Sequence, residues 1–324
     1  MMTKYINVVA DIGGTNIRLG RVTPAREITD ILVYKCANYP SLEAVLSEYF
    51  TIQNISAEQV NACLAIACPV EQDQIVMTNL PWQFSKSALQ TNLQLHHLWL
   101  INDYTAIAHS IPLLAESQKI KIGGGDVIPE KPMSICGPGT GLGVANMAFD
   151  GHQWLCLSGE GGHVDFAPID QQEQAILSYL MTKMAHVSYE QLLSGMGLEN
   201  IYQALAELEQ LDVSPLSAEQ ISTQALDQSC ALCERALAQF CSILGSFAGN
   251  LALTLASFGG VYIAGGIVPR FISYLQQSNF RARFEQKGRL SPINRNIATF
   301  VITESQPGLL GAAAYLSQQT TEEL

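Results

Sequence analysis

Apolar residues fall along this chain in short runs that stop at glycine or at polar pairs, then give way to longer stretches with helical spacing. Residues 5–10 alternate little and are rich in valine and isoleucine, the pattern of a strand buried on both faces. Gly13-Gly14 interrupts the run, and Ile17, Leu19 and Val22 resume an extended pattern. That spacing predicts a hairpin rather than a strand followed by a helix. Residues 31–36 read as a third strand. Residues 41–52 place Leu42, Val45, Leu46, Tyr49 and Phe50 on one helical face, with Ser41 as N-cap. A buried strand over 62–67, a helix over 85–93, a strand over 97–101 and a helix over 105–114 complete a βββαβαβα order, which predicts a mixed sheet flanked by helices.

The polar, turn-rich segment 123–132 marks a boundary. The second half opens on a strand over 133–136, and strands over 144–149 and 154–157 repeat the hairpin pattern after a glycine turn. Helices are expected over 173–183, 189–193, 198–208, 218–226 and 232–257. A strand pair over 261–264 and 298–301 follows, then a last helix over 307–316. The element order of the first half thus recurs, predicting two α/β domains with related sheets and a cleft between them. The longest apolar stretch, 236–258, is broken by Gln239, Asn250 and several serines, and Gly245 and Gly249 are spaced for close helix packing. It reads as a buried helix, not a membrane span.

Composition narrows the classes. The chain has 324 residues, 48% of them hydrophobic and 14% charged, enough for about two domains with substantial cores. A formal charge of −12 argues against nucleic acid or an anionic membrane as partner. An anionic nucleotide is still compatible, because backbone N–H groups and Mg²⁺ supply local positive potential. The Met-Met-Thr-Lys-Tyr start lacks a signal-peptide apolar region. Five of the eight cysteines, Cys36, Cys63, Cys68, Cys136 and Cys156, lie mostly in apolar runs, and a reducing cytoplasm is expected. Cys230 and Cys233 form a C-x-x-C without further zinc ligands nearby, read as two thiols on successive turns of a helix.

Three glycine turns after apolar runs carry the candidate chemistry. In Asp11-Ile12-Gly13-Gly14-Thr15-Asn16, the glycines let a hairpin close over a phosphate, Thr15 offers a hydroxyl, and Asp11 is placed to hold Mg²⁺ through water. In Gly137-Pro138-Gly139-Thr140-Gly141-Leu142-Gly143, Leu142 breaks a dinucleotide fingerprint and no Gly-Lys-Ser/Thr follows, so a second phosphate hairpin is expected at Gly139, Thr140 and Gly141. Gly265-Gly266 is either a packing turn or a close approach to a nucleotide's sugar or base. Asn102-Asp103 ends an apolar strand, where a carboxylate is either a helix N-cap or a general base. Ser158-Gly159-Glu160-Gly161-Gly162-His163 sets a carboxylate and an imidazole among glycines, a loop suited to a polyol. Glu190 reads from its position as a charge near a helix start.

These blocks together resemble the bacterial ATP-dependent glucokinases of the hexokinase/actin/Hsp70 ATPase superfamily. The resemblance runs nearly end to end, through D-I-G-G-T-N from Asp11, M-T-N-L-P-W from Met77, I-N-D from Ile101, G-T-G-L-G-V-A from Gly139, G-E-G-G-H-V-D-F-A-P from Gly159, H-V-S-Y-E from His186 and F-G-G-V-Y-I-A-G-G-I-V-P-R-F from Phe258. It implies transfer of the ATP γ-phosphoryl to the 6-hydroxyl of glucose, with Asp103 as catalytic base. Asn102, Asp103, Glu160, His163 and Glu190 then match sugar-binding positions. Asp11, Gly13, Gly14, Thr15, Asn16, Gly139, Thr140, Gly141, Gly265 and Gly266 match the ATP side. It also implies an actin-like (ribonuclease H-like) α/β fold, with a smaller domain over 1–113 plus 304–324, a larger one over 114–303, and a homodimer. The cysteine-rich zinc motif of many ROK sugar kinases is absent from this sequence. A kinase for another hexose, or a non-enzymatic ATP or sugar sensor, is the alternative; retention of both Asp103 and the Glu160–His163 loop speaks against a sensor.

Overall fold

The computed structural model describes residues 5–321. The chain divides into two compact units, Met1–Leu114 with Glu304–Leu324, and Ala115–Thr303.

In the first unit, β1 (Ile6–Ile12), β2 (Asn16–Val22) and β3 (Ile28–Lys35) form an antiparallel meander, followed by α1 (Leu42–Ile52) and β4 (Val60–Ile66). A small hairpin of β5 (Gln74–Val76) and β6 (Gln83–Ser85) leads into α2 (Lys86–Asn92), β7 (His97–Asn102) and α3 (Asp103–Ser110). The main sheet runs β3-β2-β1-β4-β7, with β4 parallel to both β1 and β7. Because successive side chains point to opposite faces and both faces of the sheet are covered, β1 and β4 are largely apolar, with Asn7, Asp11 and Asn61 the exceptions. Val8, Ala10 and Ile12 pack with Leu42, Leu46 and Tyr49 of α1 on one face. Val9, Cys63 and Ala65 pack on the other face. Ser41 caps α1 as expected, its hydroxyl accepting from the Ala44 N–H at 3.2 Å.

The second unit starts with β8 (Lys119–Gly123), then β9 (Met133–Pro138), β10 (Leu142–Phe149) and β11 (Trp154–Gly159). Helices α4 (Gln171–Met181), α5 (Gly195–Leu208), α6 (Ala218–Leu226) and α7 (Ala231–Leu255) follow, then β12 (Val261–Ile263), the short α8 (Ile272–Gln277), α9 (Phe280–Glu285) and α10 (Ser291–Asn296), and β13 (Thr299–Ile302). Its sheet order is β11-β10-β9-β12-β13-β8. The first five strands repeat the pairing of the other unit: two antiparallel contacts, then two parallel ones. The recurrence of element order read from sequence is therefore a recurrence of topology. β8, whose Lys-Ile-Lys-Ile alternation suits a half-exposed edge, is an added antiparallel strand that the turn-rich reading of this region passed over.

α7 is the long apolar helix; 78% of its most apolar window is buried. Its glycines let α9 approach closely: a Cβ on Gly245 would collide with the Phe280 carbonyl oxygen. The expected helix over 189–193 is instead one 3₁₀ turn, Tyr189–Gln191, too short to propagate before Ser194 opens α5 as its N-cap. The helix expected over 105–114 starts two residues earlier and ends at Ser110, one residue before the Ile111-Pro112 turn.

The last helix, α11 (Pro307–Thr321), belongs to the first unit. Leu309, Ala312, Ala313 and Leu316 pack with Val9, Ala65, Ile101 and Ala106. The His109 ring meets the Tyr315 ring edge-on at 5.3 Å, and burial pushes its pKa down to about 4. Gly311 sets the α3–α11 spacing, because a Cβ there would collide with the Ala106 carbonyl oxygen. Gly311→Ala is therefore expected to destabilise the first unit by about 1–3 kcal/mol, the usual cost of overpacking. Urea unfolding read against wild type checks this, and an unchanged midpoint would contradict it.

Candidate active site

In the first unit the candidate residues gather at the carboxyl ends of the parallel strands. Ile12 of β1 is level with Ile66 of β4, and Ile66 with Asn102 of β7. The Gly13-Gly14 turn and Asn102-Asp103 therefore leave the same sheet edge, two inter-strand spacings or about 10 Å apart. Ligands in open α/β sheets bind at this kind of edge.

The first turn is closed by the Gly13 N–H donating to the Asn16 carbonyl at 3.0 Å. Thr15 is exposed, and its carbonyl accepts from the Cys36 N–H at 2.9 Å. Gly14 faces Asn79: a Cβ there would lie 2.9 Å from the Asn79 Cβ. Asp11 sits just before the turn, across the hairpin from Arg18, whose guanidinium is 3.8 Å away. The first turn of α11 touches Asp11 as well; a Cβ on Gly308 would come within 2.9 Å of its Cγ. Burial raises the Asp11 carboxyl above its ordinary value, and Arg18 opposes the rise. A single carboxylate beside a glycine turn is a donor set that suits Mg²⁺, which keeps most of its waters and takes its other ligands from substrate phosphates.

The helix-cap reading of Asn102-Asp103 holds in the structure. Asn102 is the N-cap of α3, its Oδ1 accepting from the Tyr104 N–H at 2.9 Å. The Asp103 Oδ1 accepts from the same N–H at 3.0 Å. The Asn102 amide also donates to the Cys68 carbonyl at 3.4 Å, tying β7 to the end of β4. The capping bonds thus fix the direction of a carboxylate that is half-buried at the strand end.

In the second unit Glu190 organises the candidate residues. Its Oε2 accepts from the Leu142 N–H at 2.8 Å, and its carboxylate lies against Gly141 so closely that any Cβ at Gly141 would collide with it. The His163 Nε2 is 3.8 Å from the same Oε2. Gly139, Thr140 and Gly141 form the hairpin turn, closed by the Gly139 N–H donating to the Gly141 carbonyl at 2.8 Å. Glu160 and His163 flank a 3₁₀ turn, the His163 N–H donating to the Glu160 carbonyl at 3.0 Å, and both are exposed. Gly162 is forced to be glycine by the Leu142 carbonyl oxygen. The structure therefore brings the second hairpin, the Glu160–His163 loop and Glu190 together. Glu190 does stand in the first turn of the 3₁₀ turn Tyr189–Gln191, and its carboxylate reaches back 48 residues to hold the hairpin.

The third turn has a divided role. Gly265 has φ +81°, and a Cβ would collide with the Pro138 carbonyl, so it packs the end of β12 onto the end of β9. Gly266 is exposed, with no atom within 4 Å of where a Cβ would stand, and is open to a ligand. Three contacts went unread in the sequence: Arg18 on Asp11, Asn79 on Gly14 and Gly308 on Asp11. The first was within reach, since a hairpin turning at Gly13-Gly14 puts residue 18 opposite residue 11.

A family model for glucokinase matches residues 8–319. A glucokinase of Colwellia psychrerythraea is 59% identical over 321 residues, covering 98% of this chain and 97% of that protein. The chain belongs to the glucokinase family. A solved glucokinase from an Antarctic psychrotroph superposes with a TM-score of 0.88 at 36% identity, over 97% of this chain and 99% of that one. A ROK family glucokinase of Streptomyces griseus, solved with glucose and AMPPNP, shares the fold at a TM-score of 0.62 and 16% identity, over 97% of this chain and 99% of that one. The glucokinase-family fold here is the α/β, two-domain, actin-like ATPase fold, which the duplicated sheet topology reflects.

The raised Asp11 carboxyl has a signed consequence. Its folded pKa exceeds its unfolded one, so the folded state holds the proton more tightly, and stability falls as pH rises from 3.8 through the raised value. At neutral pH the ionised group is therefore a cost to folding. Asp11→Asn should raise the melting temperature at neutral pH while weakening activity. A lower melting temperature would contradict this account of the site.

Proposed function

We propose that this chain transfers the γ-phosphoryl group of ATP to the 6-hydroxyl of glucose, giving glucose 6-phosphate and ADP, the first step of glycolysis. The observation that carries the reading is the shared strand edge: the Gly13-Gly14 turn and the Asp103 carboxylate leave the same edge of one sheet, from parallel strands β1 and β7 on either side of β4. The extensive identity to a glucokinase supports the choice of sugar, and the neighbour holding glucose and AMPPNP supports the choice of donor.

The Asp103 carboxylate accepts the proton of the 6-hydroxyl as that oxygen bonds to the γ-phosphorus. The bond to the β–γ bridging oxygen breaks, and ADP leaves with that electron pair. The transition state is loose, so positioning and charge stabilisation supply most of the acceleration. Backbone N–H groups of the Gly13–Asn16 and Gly139–Gly141 turns donate to phosphate oxygens, and Thr15 and Thr140 add hydroxyls. Asp11 would hold Mg²⁺ through water, and the ion would supply positive charge to the phosphates. Gly266, the open residue of the third turn, lies against the nucleoside, and Gly265 sets the turn by packing on Pro138. Asn102, Glu160, His163 and Glu190 pair with sugar hydroxyls. A site built for those hydroxyls rejects analogues that lack them, because its own polar groups are then left unpaired. With Oε2 engaged on Leu142, Glu190 offers Oε1 to the sugar, and the same side chain couples sugar occupancy to the phosphate hairpin.

The eight cysteines are free thiols, which supports a cytoplasmic setting. The family resemblance supports a homodimer. Asp103→Ala should lower kcat by about 10²–10⁴-fold, the reach of a general base, with little change in glucose affinity. Coupled ADP release across a panel of hexoses tests both halves of the reading. Turnover near wild type in the variant would remove Asp103 from its role, and faster turnover on another hexose would reassign the substrate.

A further inference from the structure

Cys230 and Cys233 stand apart from the other cysteines and from the phosphoryl-transfer residues. The sequence pattern reads as two thiols on successive helical turns, but Cys230 lies outside the helix as the N-cap of α7, with extended backbone (φ −144°, ψ 107°). Its Sγ accepts from the Cys233 N–H at 3.4 Å, at a position where serine, threonine, aspartate or asparagine is the usual cap. Cys233, at the third helical position, is fully buried, and its thiol donates to the Gln224 Oε1 of α6 at 3.9 Å. One sulfur is thus partly open to solvent at the positive end of a 25-residue helix, and the other is shielded directly behind it. Cys36, Cys63, Cys68, Cys136 and Cys241 are all buried.

That asymmetry is what stepwise thiol–disulfide exchange needs: an accessible attacking sulfur and a protected one that resolves the adduct. Burial raises the Cys230 thiol, but hydrogen bonds from the Cys233 S–H, which can turn from Gln224 to the Cys230 sulfur, and from the Cys233 and Leu232 N–H groups outweigh it and bring the group below its ordinary value. Cys233 is pushed up to about 12, by burial first and then by its bond to Cys230. Cβ atoms three residues apart on a helix lie about 5–6 Å from one another, and a disulfide needs about 3.5–4.5 Å. The non-helical backbone of Cys230 provides the freedom to close that gap.

We propose that Cys230 and Cys233 form a reversible dithiol–disulfide couple that exchanges with small-molecule disulfides such as oxidised glutathione. The Cys230 thiolate attacks one sulfur of the disulfide, forming a mixed disulfide and releasing one glutathione thiolate. Cys233 then gives up its proton, its sulfur attacks the Cys230 sulfur, and the second glutathione leaves as a thiol. Two protein thiols are oxidised and one disulfide is reduced to two thiols, so electrons balance. The α6–α7 junction loses the Cys233-to-Gln224 hydrogen bond in the oxidised form.

The test incubates the full chain in glutathione buffers of increasing oxidised fraction, quenches with an alkylating agent and maps cysteines by peptide mass spectrometry. Wild type should lose two alkylatable thiols together, as a Cys230–Cys233 disulfide that excess reduced glutathione reverses. Cys233→Ser should instead hold one glutathione on Cys230. Cys230→Ser, which keeps a good cap and so keeps the helix start, should form neither species. A wild type that retains both thiols under oxidising buffer, a Cys233→Ser chain that takes no glutathione at Cys230, or stoichiometric zinc on the isolated protein would overturn the proposal.

Discussion

Parallel pairing of β1, β4 and β7 is the constraint on which the first unit's chemistry depends, because it aligns the ends of three strands that are separate in sequence. Ile12, Ile66 and Asn102 are level in the register, so the first glycine turn and the Asp103 carboxylate emerge at one sheet edge, with β4 between them. A slip of one residue in either pairing would turn Val9 or Cys63 toward the wrong core face. The two apolar layers that bury β1 and β4 on both sides therefore hold the register as well as the stability. The same logic repeats in the second unit, where β9 and β12 are parallel and their ends carry the second and third glycine turns.

Rigidity at these strand ends comes from short, specific contacts. Asn102 and Asp103 share the Tyr104 N–H, and Asn102 also reaches the end of β4, so the bonds that cap the helix also fix the Asp103 carboxylate. In the second unit Glu190 plays the corresponding part by bonding the Leu142 N–H and standing beside His163. One carboxylate thus ties the second glycine hairpin to the Glu160–His163 loop. Asp11 shows the opposite balance: burial works against its charge, and Arg18 offsets only part of that cost.

Much of this was legible in the sequence where periodicity and turn chemistry agree. The hairpin after Gly13-Gly14, the Ser41 cap of α1 and the repeated strand order all follow from local pattern. Long-range roles were not legible by the same means. Nothing in the spacing around Glu190 shows that its carboxylate bonds to residue 142, because that bond depends on how α5 and the hairpin pack. The residues around Tyr189 carry helical spacing but stop after one turn, since Ser194 supplies a stronger start for the next helix. Gly308 and Gly311 read as features of a helix start, and their real constraints, Asp11 and the Ala106 carbonyl, come from the other end of the chain.

The most direct measurement of the central claim is the position of the reacting hydroxyl in a crystal structure of the protein with glucose and a non-hydrolysable ATP analogue. The account predicts the glucose 6-oxygen within about 2.6–3.2 Å of an Asp103 carboxylate oxygen, with the terminal phosphate seated over the Gly13-Gly14 turn. Glucose bound with its 6-hydroxyl directed away from Asp103, or phosphates held elsewhere than at the glycine turns, would contradict it.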